Sequence, residues 1–151
     1  MLKSKLFAIF LLLFYVSAAN AQSNGIGLGL IVGEPTGISG KIWTGSSTAF
    51  DGGLAWSFID ENAFQIHADY LFHNFRLISV SEGKLPFYYG IGARLKTAND
   101  VQLGVRVPLG LNYIFQYVPV DIFIEVVPIL DLIPKTDFQI NAALGARYYF
   151  N

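Results

Sequence analysis

Apolar side chains recur at every second position through eight successive stretches of this chain, while the positions between them carry most of the charges and many of the glycines. Residues 101–107, for example, read VQLGVRV. Successive side chains of a β-strand point to opposite faces, so this pattern predicts strands with one apolar and one polar face. We place the strands near 25–33, 37–45, 48–59, 62–73, 85–96, 101–115, 118–128 and 137–150.

The composition of the polar face indicates which side of such a sheet meets water. A solvated face is usually dense in Lys, Glu and Thr, whereas this face holds mainly Gly and Ala with a few scattered ions, which suits a narrow interior. The apolar face then meets hydrocarbon, where an open strand edge cannot be hydrogen-bonded, so the first and last strands must pair. We therefore predict an all-β fold, a closed eight-stranded antiparallel up-and-down transmembrane β-barrel. The alternative is a soluble, lipocalin-like periplasmic barrel with the apolar set inside.

The start of the chain has the features of a secretion signal. Two lysines among the first five residues are followed by an uncharged apolar run at 6–16 and by the small residues ANA just before Gln22. At about 1.5 Å per residue, this run is too short to cross about 30 Å of hydrocarbon as a retained anchor helix. We predict a cleaved signal peptide at 1–21 and a barrel at 22–151, located in the bacterial outer membrane.

Composition excludes several other classes of protein. The chain is 53% apolar and 15% aromatic with only 14% charged residues, a composition more apolar than is usual for a soluble protein of this size. The longest uncharged run of the C-terminal half, 107–120, contains two prolines and suits no membrane helix. Without the two signal lysines, 8 basic and 11 acidic residues give a net charge of −3, so we predict no binding to nucleic acid. The absence of cysteine excludes a lipoprotein and a disulfide framework.

Aromatic residues concentrate near the ends of the predicted strands. If both chain ends lie in the periplasm, an even number of strands brings these residues into two bands, one at each rim. Trp and Tyr favour membrane–water interfaces, so we predict two aromatic girdles in contact with outer-membrane lipid. The girdle residues are Phe50, Trp56, Phe58, Phe64, Tyr70, Phe72, Phe87, Tyr89, Tyr113, Phe115, Phe138, Tyr148 and Phe150.

The polar face carries four basic and four acidic residues. The interior of an eight-stranded barrel is just wide enough for its side chains, and a charge buried there is costly unless it is paired. We predict a polar network in the lumen with a structural role; the alternative is a narrow, gated path for protons, ions or small solutes. The network comprises Lys41, Asp51, His67, Asp69, Arg94, Arg106, Asp121, Glu125 and Arg147.

Three local features resemble catalytic or metal motifs without meeting their requirements. Residues 25–29, GIGLG, lack the third glycine position and the following helix of a dinucleotide loop. His67 and His73 lie about 20 Å apart along a strand and cannot bind one metal ion together. His67 can pair with Asp69, but Ser57 is only a nominal nucleophile beside them. We predict no catalytic, cofactor-binding or metal-binding residues, with a lipid-modifying enzyme as the less favoured alternative.

Connections at the outer rim are short, with one exception. Segments 33–36, 59–62 and 97–100 are near the length of tight turns, which leaves little material for an adhesin or receptor surface. Residues 128–136, PILDLIPKT, are apolar where an exposed loop is normally polar. Either the seventh strand continues past its proline, or this segment is a plug or a contact for a protein partner. At the opposite rim, 74–84 looks strand-like, and we predict a bulge and a longer hairpin there.

Six segments carry a recognisable family pattern: GEPTGIS at 33–39, HADYLFHN at 67–74, LPFYYGIG at 85–92, GVRVPLGLNY at 104–113, DLIP at 131–134 and RYYF at 147–150. The chain resembles the OmpA-transmembrane-domain class of eight-stranded barrels, and more closely resembles an uncharacterised family of small outer-membrane barrels noted in spirochaetes and other diderm bacteria. The resemblance implies an outer-membrane barrel and brings no catalytic residues. Asn151 departs from the terminal aromatic by which the barrel assembly machinery usually reads the last strand.

Taken together, these features predict a small, porin-like outer-membrane barrel with a structural or envelope-stabilising role and without enzymatic activity. Its expected partners are outer-membrane lipid, the barrel assembly machinery through the C-terminal strand, and a protein contact at 128–136. No cofactor is expected. The sequence leaves open whether the lumen conducts and how many chains assemble.

Overall fold

The computed structural model describes residues 25–57, 63–98 and 100–150, which form one antiparallel sheet. Among these residues, no helix is long and apolar enough to cross a membrane. The predicted signal peptide and Phe58 lie outside the described residues. The strands are β1 (Ile26–Gly33), β2 (Thr36–Trp43), β3 (Thr48–Ser57), β4 (Ala63–Asn74), β5 (Phe87–Thr97), β6 (Val101–Arg106), β7 (Leu109–Ile114), β8 (Val120–Ile133) and β9 (Asp137–Phe150).

The sheet closes on itself. β1 pairs with β2 on one side and with β9 on the other, so Ile26 lies opposite both Ile42 and Phe150. The other neighbours follow chain order, except that β6 and β7 share the place between β5 and β8. The ring therefore passes through eight strand positions, and the predicted pairing of the first and last strands is confirmed. We call the end with Ile26 and Phe150 the terminal mouth, and the end with turns 34–35 and 134–136 the far mouth.

Burial alternates along the strands because successive side chains point to opposite sides of the sheet. In β4, every second residue from Ala63 to His73 is buried, and the residues between are exposed or half-buried. Across the ring, the buried positions hold most of the polar side chains and the outer face is apolar. Leu30, Ile91 and Ile140 are 64%, 59% and 62% exposed, respectively. This arrangement is the reverse of the one that a soluble, lipocalin-like barrel requires.

The predicted strand at 101–115 is divided into two strands by Val107 and Pro108. Proline has no N–H to donate to a ladder, so the pairing is interrupted there. The backbone still connects to both neighbours: the N–H of Gly90 donates to the carbonyl of Pro108 at 3.1 Å, and the N–H of Val107 donates to the carbonyl of Pro128 at 3.0 Å. The prediction of one continuous strand is wrong, although both halves keep the same neighbours.

Most of the apolar segment 128–136 belongs to a strand. β8 continues to Ile133, and Pro128 lies opposite Ile140 in the ladder with β9. Of the two interpretations of this segment, continuation of the strand past its proline is confirmed. Only 134–136 remains as a turn at the far mouth. A protein contact here stays a prediction.

The connection from β4 to β5, residues 75–86, lies at the terminal mouth and joins the two antiparallel strands as a long loop. The register between these strands runs without a shift, and within the segment only Lys84 makes a strand-like bridge, to Ile114. The predicted bulge is therefore wrong, whereas the predicted longer hairpin is confirmed, since β4 and β5 are antiparallel neighbours joined by residues 75–86. Of the apolar residues that resemble a strand, Phe75 packs against Trp43 with ring centroids 6.2 Å apart, whereas Leu77 is exposed.

Not all of the interior is polar. A small apolar cluster is buried inside the ring, and its members come from five different strands. The alternating pattern does not predict this cluster. The pattern identifies the inward face by its polar residues, and these cluster residues are apolar or aromatic at inward positions. The cluster consists of Ile31, Leu71, Tyr88, Phe123 and Ala143.

Candidate functional site

The charged interior of the ring is the candidate site, because it gathers ionisable side chains from seven strands in one enclosed space. All nine residues predicted for the lumen network are at most 8% exposed. Burying this many charges is costly unless each one is paired or hydrogen-bonded, so their contacts decide what the interior can do. They are Lys41 on β2, Asp51 on β3, His67 and Asp69 on β4, Arg94 on β5, Arg106 on β6, Asp121 and Glu125 on β8, and Arg147 on β9.

Near the far mouth, Arg94 and Asp131 form a complete ion pair. Nε of Arg94 donates to Oδ1 of Asp131 at 3.1 Å, and its Nη2 donates to Oδ2 at 2.7 Å. The guanidinium also donates to the side-chain oxygens of Gln139 at 3.0 Å and Gln65 at 3.4 Å. This two-pronged geometry is the strong form of an arginine–carboxylate contact. We call Arg94 and Asp131 the far-mouth pair; Gln65 and Gln139 are its amide partners.

At mid-height, Arg106 lies between two carboxylates. Its Nε is 2.8 Å from Oδ1 of Asp69, and its Nη2 is 3.6 Å from Oε1 of Glu125. The contact with Asp69 is close, but the N–H does not point at the oxygen in hydrogen-bonding geometry. Glu125 is held on its other side by the hydroxyl of Tyr88, which donates to Oε2 at 2.7 Å.

Closer to the terminal mouth, Arg147 is the central cation. Its Nε donates to Oδ1 of Asp121 at 3.0 Å, and its guanidinium lies over the ring of Phe123 at 4.1 Å. The hydroxyl of Tyr149 donates to the second oxygen of Asp121. Asp51 is more distant, with its Oδ2 3.9 Å from Nη1 of Arg147. Arg147 is thus committed mainly to Asp121.

Lys41 is held by neutral partners. Its Nζ lies 2.8 Å from Nε2 of His73, and Nδ1 of His73 lies 3.0 Å from the carbonyl of Ser47. A neutral imidazole that donates from Nδ1 has Nε2 free to accept, so it can accept from the ammonium group. With the amide orientation that satisfies both of its ends, Asn112 accepts from Lys41 at 2.9 Å. The ring of Trp43 lies 4.3 Å from Nζ.

Three of the predicted residues meet on the walls formed by β3 and β4. Asp51 lies directly opposite Asp69 in the ladder, and His67 follows on the same inward face. One ligand-type atom from each of the three lies within 4.8 Å of the others. The sequence does not show that Asp51 lies beside His67 and Asp69, because their proximity depends on the register between β3 and β4.

Several interior residues are absent from the predicted network. Asp131 lies in the segment 128–136, for which a continued strand is one of the two interpretations, and its odd number continues the inward series of Asp121 and Glu125. Lys96 shares the inward parity of Arg94 at the end of β5. Gln65, Asn112 and Asn141 belong to the predicted polar face but carry no charge, so the network of ionisable residues does not include them; Tyr88 is a further buried hydroxyl. The nominal nucleophile Ser57 has its side chain outside the described part of the structure.

The predicted girdle residues that the structure describes all lie on the outer face, exposed or half-buried. Many pack edge to face or stack with a neighbour; the rings of Phe50 and Tyr70 are 4.8 Å apart, and those of Phe72 and Tyr89 are 5.6 Å apart. By their places along the strands, Trp56, Phe64 and Phe138 lie toward the far mouth, and Phe50, Tyr70, Phe72, Phe87, Tyr89, Tyr113, Phe115, Tyr148 and Phe150 toward the terminal mouth.

No protein-family model matches the chain, and no curated protein sequence matches it either. Among solved structures, the fold is similar to the N-terminal β-barrel domain of OprF from Pseudomonas aeruginosa, with a TM-score of 0.63 over 84% of this chain and 98% of that domain. The two sequences are 13% identical, so the likeness concerns the fold. At that level it confirms the resemblance to OmpA-like barrels.

Proposed function

We propose that this protein is an integral outer-membrane β-barrel with a structural, envelope-stabilising role and no chemistry of its own. The observation that carries the proposal is the apolar outer face. Soluble monomers rarely expose contiguous apolar patches beyond a few hundred Å². Here leucine, isoleucine and valine side chains that are about half exposed or more recur on strands throughout the ring, as on β1, β5 and β9.

The closed ring supports the same proposal. In hydrocarbon, each unpaired backbone donor or acceptor costs several kcal/mol, so a membrane-spanning sheet must have no free edge. The β1–β9 ladder pairs eight successive residues of β1 and removes the edge that an open sheet would leave. The bands of aromatic residues are where bilayer interfaces would meet the two ends of the strands.

A filled interior favours a structural role over a wide pore. An eight-stranded barrel is just wide enough for its side chains, and here bulky pairs such as Arg94–Asp131 and Arg147–Asp121 occupy it. In this proposal residues 1–21 are the cleaved secretion signal, 22–151 is the barrel, and the assembly machinery reads the last strand. Membership of the small barrel family noted in spirochaetes, and a partner at 128–136, are further parts of the proposal.

One observation favours a second candidate, a narrow ion or proton path. Polar groups succeed one another from Arg94 near the far mouth, through Arg106, to Lys41 near the terminal mouth. Planar-bilayer conductance of the refolded protein separates the two candidates. A path through the interior predicts conductance that changes in Arg106→Ala and Asp69→Ala, whereas the structural role predicts no unitary conductance in any of the three proteins.

The proposed location is tested with a matched pair of leucines. The chain has no cysteine, so Leu144→Cys and Leu77→Cys each introduce a single thiol. The two leucines are similarly exposed, at 56% and 63%, but Leu144 lies on β9 and Leu77 in the connection at the terminal mouth. In liposomes, a water-soluble maleimide should label Leu77→Cys and leave Leu144→Cys unlabelled until detergent denaturation. Equal, rapid labelling of both would contradict a membrane barrel.

Heat-modifiable gel mobility is the companion test of the closed sheet. A barrel resists unfolding by detergent until it is boiled, so unboiled and boiled samples should migrate differently.

Lipid analysis of membranes with and without the protein addresses the enzyme alternative. An acyl change that His67→Ala abolishes would overturn the non-enzymatic proposal.

A further inference from the structure

We propose that Asp51, His67 and Asp69 form a binding site for one divalent transition-metal ion inside the ring. The proposal concerns the interior only and does not depend on which solvent surrounds the outer face. It begins from the register, which places two carboxylates opposite each other on adjacent strands with an imidazole beside them. Like charges in directly opposed positions repel, and a bound cation between the two carboxylates would relieve that repulsion.

Each of the three residues has buried polar atoms without a hydrogen bond. Within the described residues these atoms are Oδ1 of Asp51, Nδ1 of His67 and both carboxylate oxygens of Asp69, of which Oδ1 lies in the ion pair with Arg106. The three residues are 8%, 4% and 1% exposed. Buried polar atoms are nearly always satisfied in folded proteins, so a convergent group of unsatisfied atoms indicates a ligand.

The neighbouring arginines leave ligand atoms available. Arg106 lies beside Oδ1 of Asp69, and Arg147 lies 3.9 Å from Oδ2 of Asp51 and is committed mainly to Asp121. Each carboxylate therefore keeps a second oxygen, Oδ1 of Asp51 and Oδ2 of Asp69, that has no hydrogen-bond partner. Such charged neighbours orient metal-ligating carboxylates in many metal sites.

Two glycines make the room for this cluster. A Cβ at Gly92, which lies opposite Asp69, would overlap the Asp69 carboxylate, and a Cβ at Gly53, which lies opposite His67, would lie 2.7 Å from Cε1 of the imidazole. The side chains of Asp69 and His67 thus occupy the space that a side chain at Gly92 or Gly53 would fill. The ligand set is one imidazole nitrogen with two carboxylates, which suits Zn²⁺ and similar first-row ions better than Mg²⁺ or Ca²⁺, since those prefer oxygen ligands alone.

The chain offers a sharp spectroscopic test because it has only two histidines, His67 and His73. Untagged protein labelled with ¹⁵N-histidine is stripped with a chelator and titrated with ZnCl₂ in detergent. The proposal predicts that Zn²⁺ shifts the ring signals of His67 and leaves those of His73 in place; His73→Gln supplies the assignment. No shift of His67, or an equal shift of both histidines, would overturn it. This measurement uses the unaltered chain and does not require a ligand variant to fold.

Zinc content gives the matched mutational test. After dialysis against ZnCl₂ and removal of free metal, the wild type and His73→Gln should retain about one zinc per chain. His67→Gln and Asp51→Asn should bind more than about 100-fold more weakly, because even residues outside the ligand shell contribute about 10–100-fold. Variants are compared only where heat-modifiable mobility shows that they fold. Full zinc retention by His67→Gln would contradict the site. Failure of zinc binding leaves the outer-membrane proposal intact, and labelling of Leu144→Cys leaves the zinc proposal intact.

Discussion

Two buried arginine–aspartate contacts in the same ring differ in how completely they are satisfied. Arg94 and Asp131 make two hydrogen bonds to each other, and two glutamines extend the contact. Arg106 and Asp69 are equally buried and as close as 2.8 Å, yet without hydrogen-bonding geometry. Burial and residue type therefore do not determine the outcome.

The difference follows from the number of charges in each place. In the far-mouth pair one carboxylate faces one guanidinium, and the amides of Gln65 and Gln139 also accept from that guanidinium. At mid-height, Asp69 and Glu125 share Arg106, and Asp51 reaches only Arg147, which is already hydrogen-bonded to Asp121. Two arginines shared among four carboxylates cannot give each of them good geometry. The far-mouth pair therefore serves the stability of the ring, and the mid-height group has atoms left over for a ligand.

The largest expected effect comes from breaking the far-mouth pair. Asp131→Asn removes one charge and leaves Arg94 buried without a counter-charge, which should lower the free energy of unfolding by about 3–5 kcal/mol. Urea titrations in detergent micelles measure this change. The control is Asp137→Asn, an exposed carboxylate opposite Asp131 in the same hairpin, which should cost no more than about 0.5 kcal/mol. Equal, small effects in both variants would show that the pair contributes little.

The next-largest effect is expected at Gly92, whose missing side chain leaves space for the Asp69 carboxylate. A methyl group at Gly92 would overlap the Asp69 carboxylate and the carbonyl of Ala68, so Gly92→Ala should lower the free energy of unfolding by about 2–3 kcal/mol. Gly40→Ala is the matched control, because a Cβ there meets only Leu28 at 3.6 Å and the carbonyl of Gly27 at 3.8 Å. Its unfolding should match the wild type. A tolerated Gly92→Ala would mean that Asp69 is not fixed in place.

A smaller effect is expected from a single interior hydroxyl. Tyr88→Phe removes the donor to Glu125 and leaves a buried carboxylate oxygen unsatisfied, which should cost about 1.5 kcal/mol. The adjacent Tyr89 lies on the outer face at 48% exposure, so Tyr89→Phe is the control and should change unfolding little. If the two variants behave alike, Glu125 takes its stability from Arg106 alone.

The smallest effect is expected from Asp51, one of the mid-height carboxylates. Asp51→Asn removes one of two opposed carboxylates whose nearest cation is 3.9 Å away, so relief of repulsion offsets the lost attraction. We expect a change below about 1 kcal/mol in metal-free protein. A loss as large as that of Asp131→Asn would erase the distinction between the two groups.

The sequence predicted what depends on local alternation and missed what depends on register and on proline. Period-two alternation placed Lys41, Arg106 and the other ionisable residues on the inward face, because side-chain direction is a property of each strand alone. The meeting of Asp51 with Asp69 depends on how β3 aligns with β4, which no single strand encodes. Pro108 and Pro128 look alike in sequence, yet one interrupts its strand and the other does not, since the outcome depends on whether the missing N–H was needed by a neighbour.

The ladder between β1 and β9 has a consequence for biogenesis. Ile26 pairs with Phe150, so the partner of the first strand is the last one to be synthesised. Until β9 arrives, β1 and β8 each present a row of unmatched backbone groups to any other extended chain. Contacts this remote along a polypeptide form slowly. The unpaired edges of β1 and β8 therefore have to be kept from other extended chains until β9 is present. Both edges become hydrogen-bonded when β9 pairs with β1 and β8.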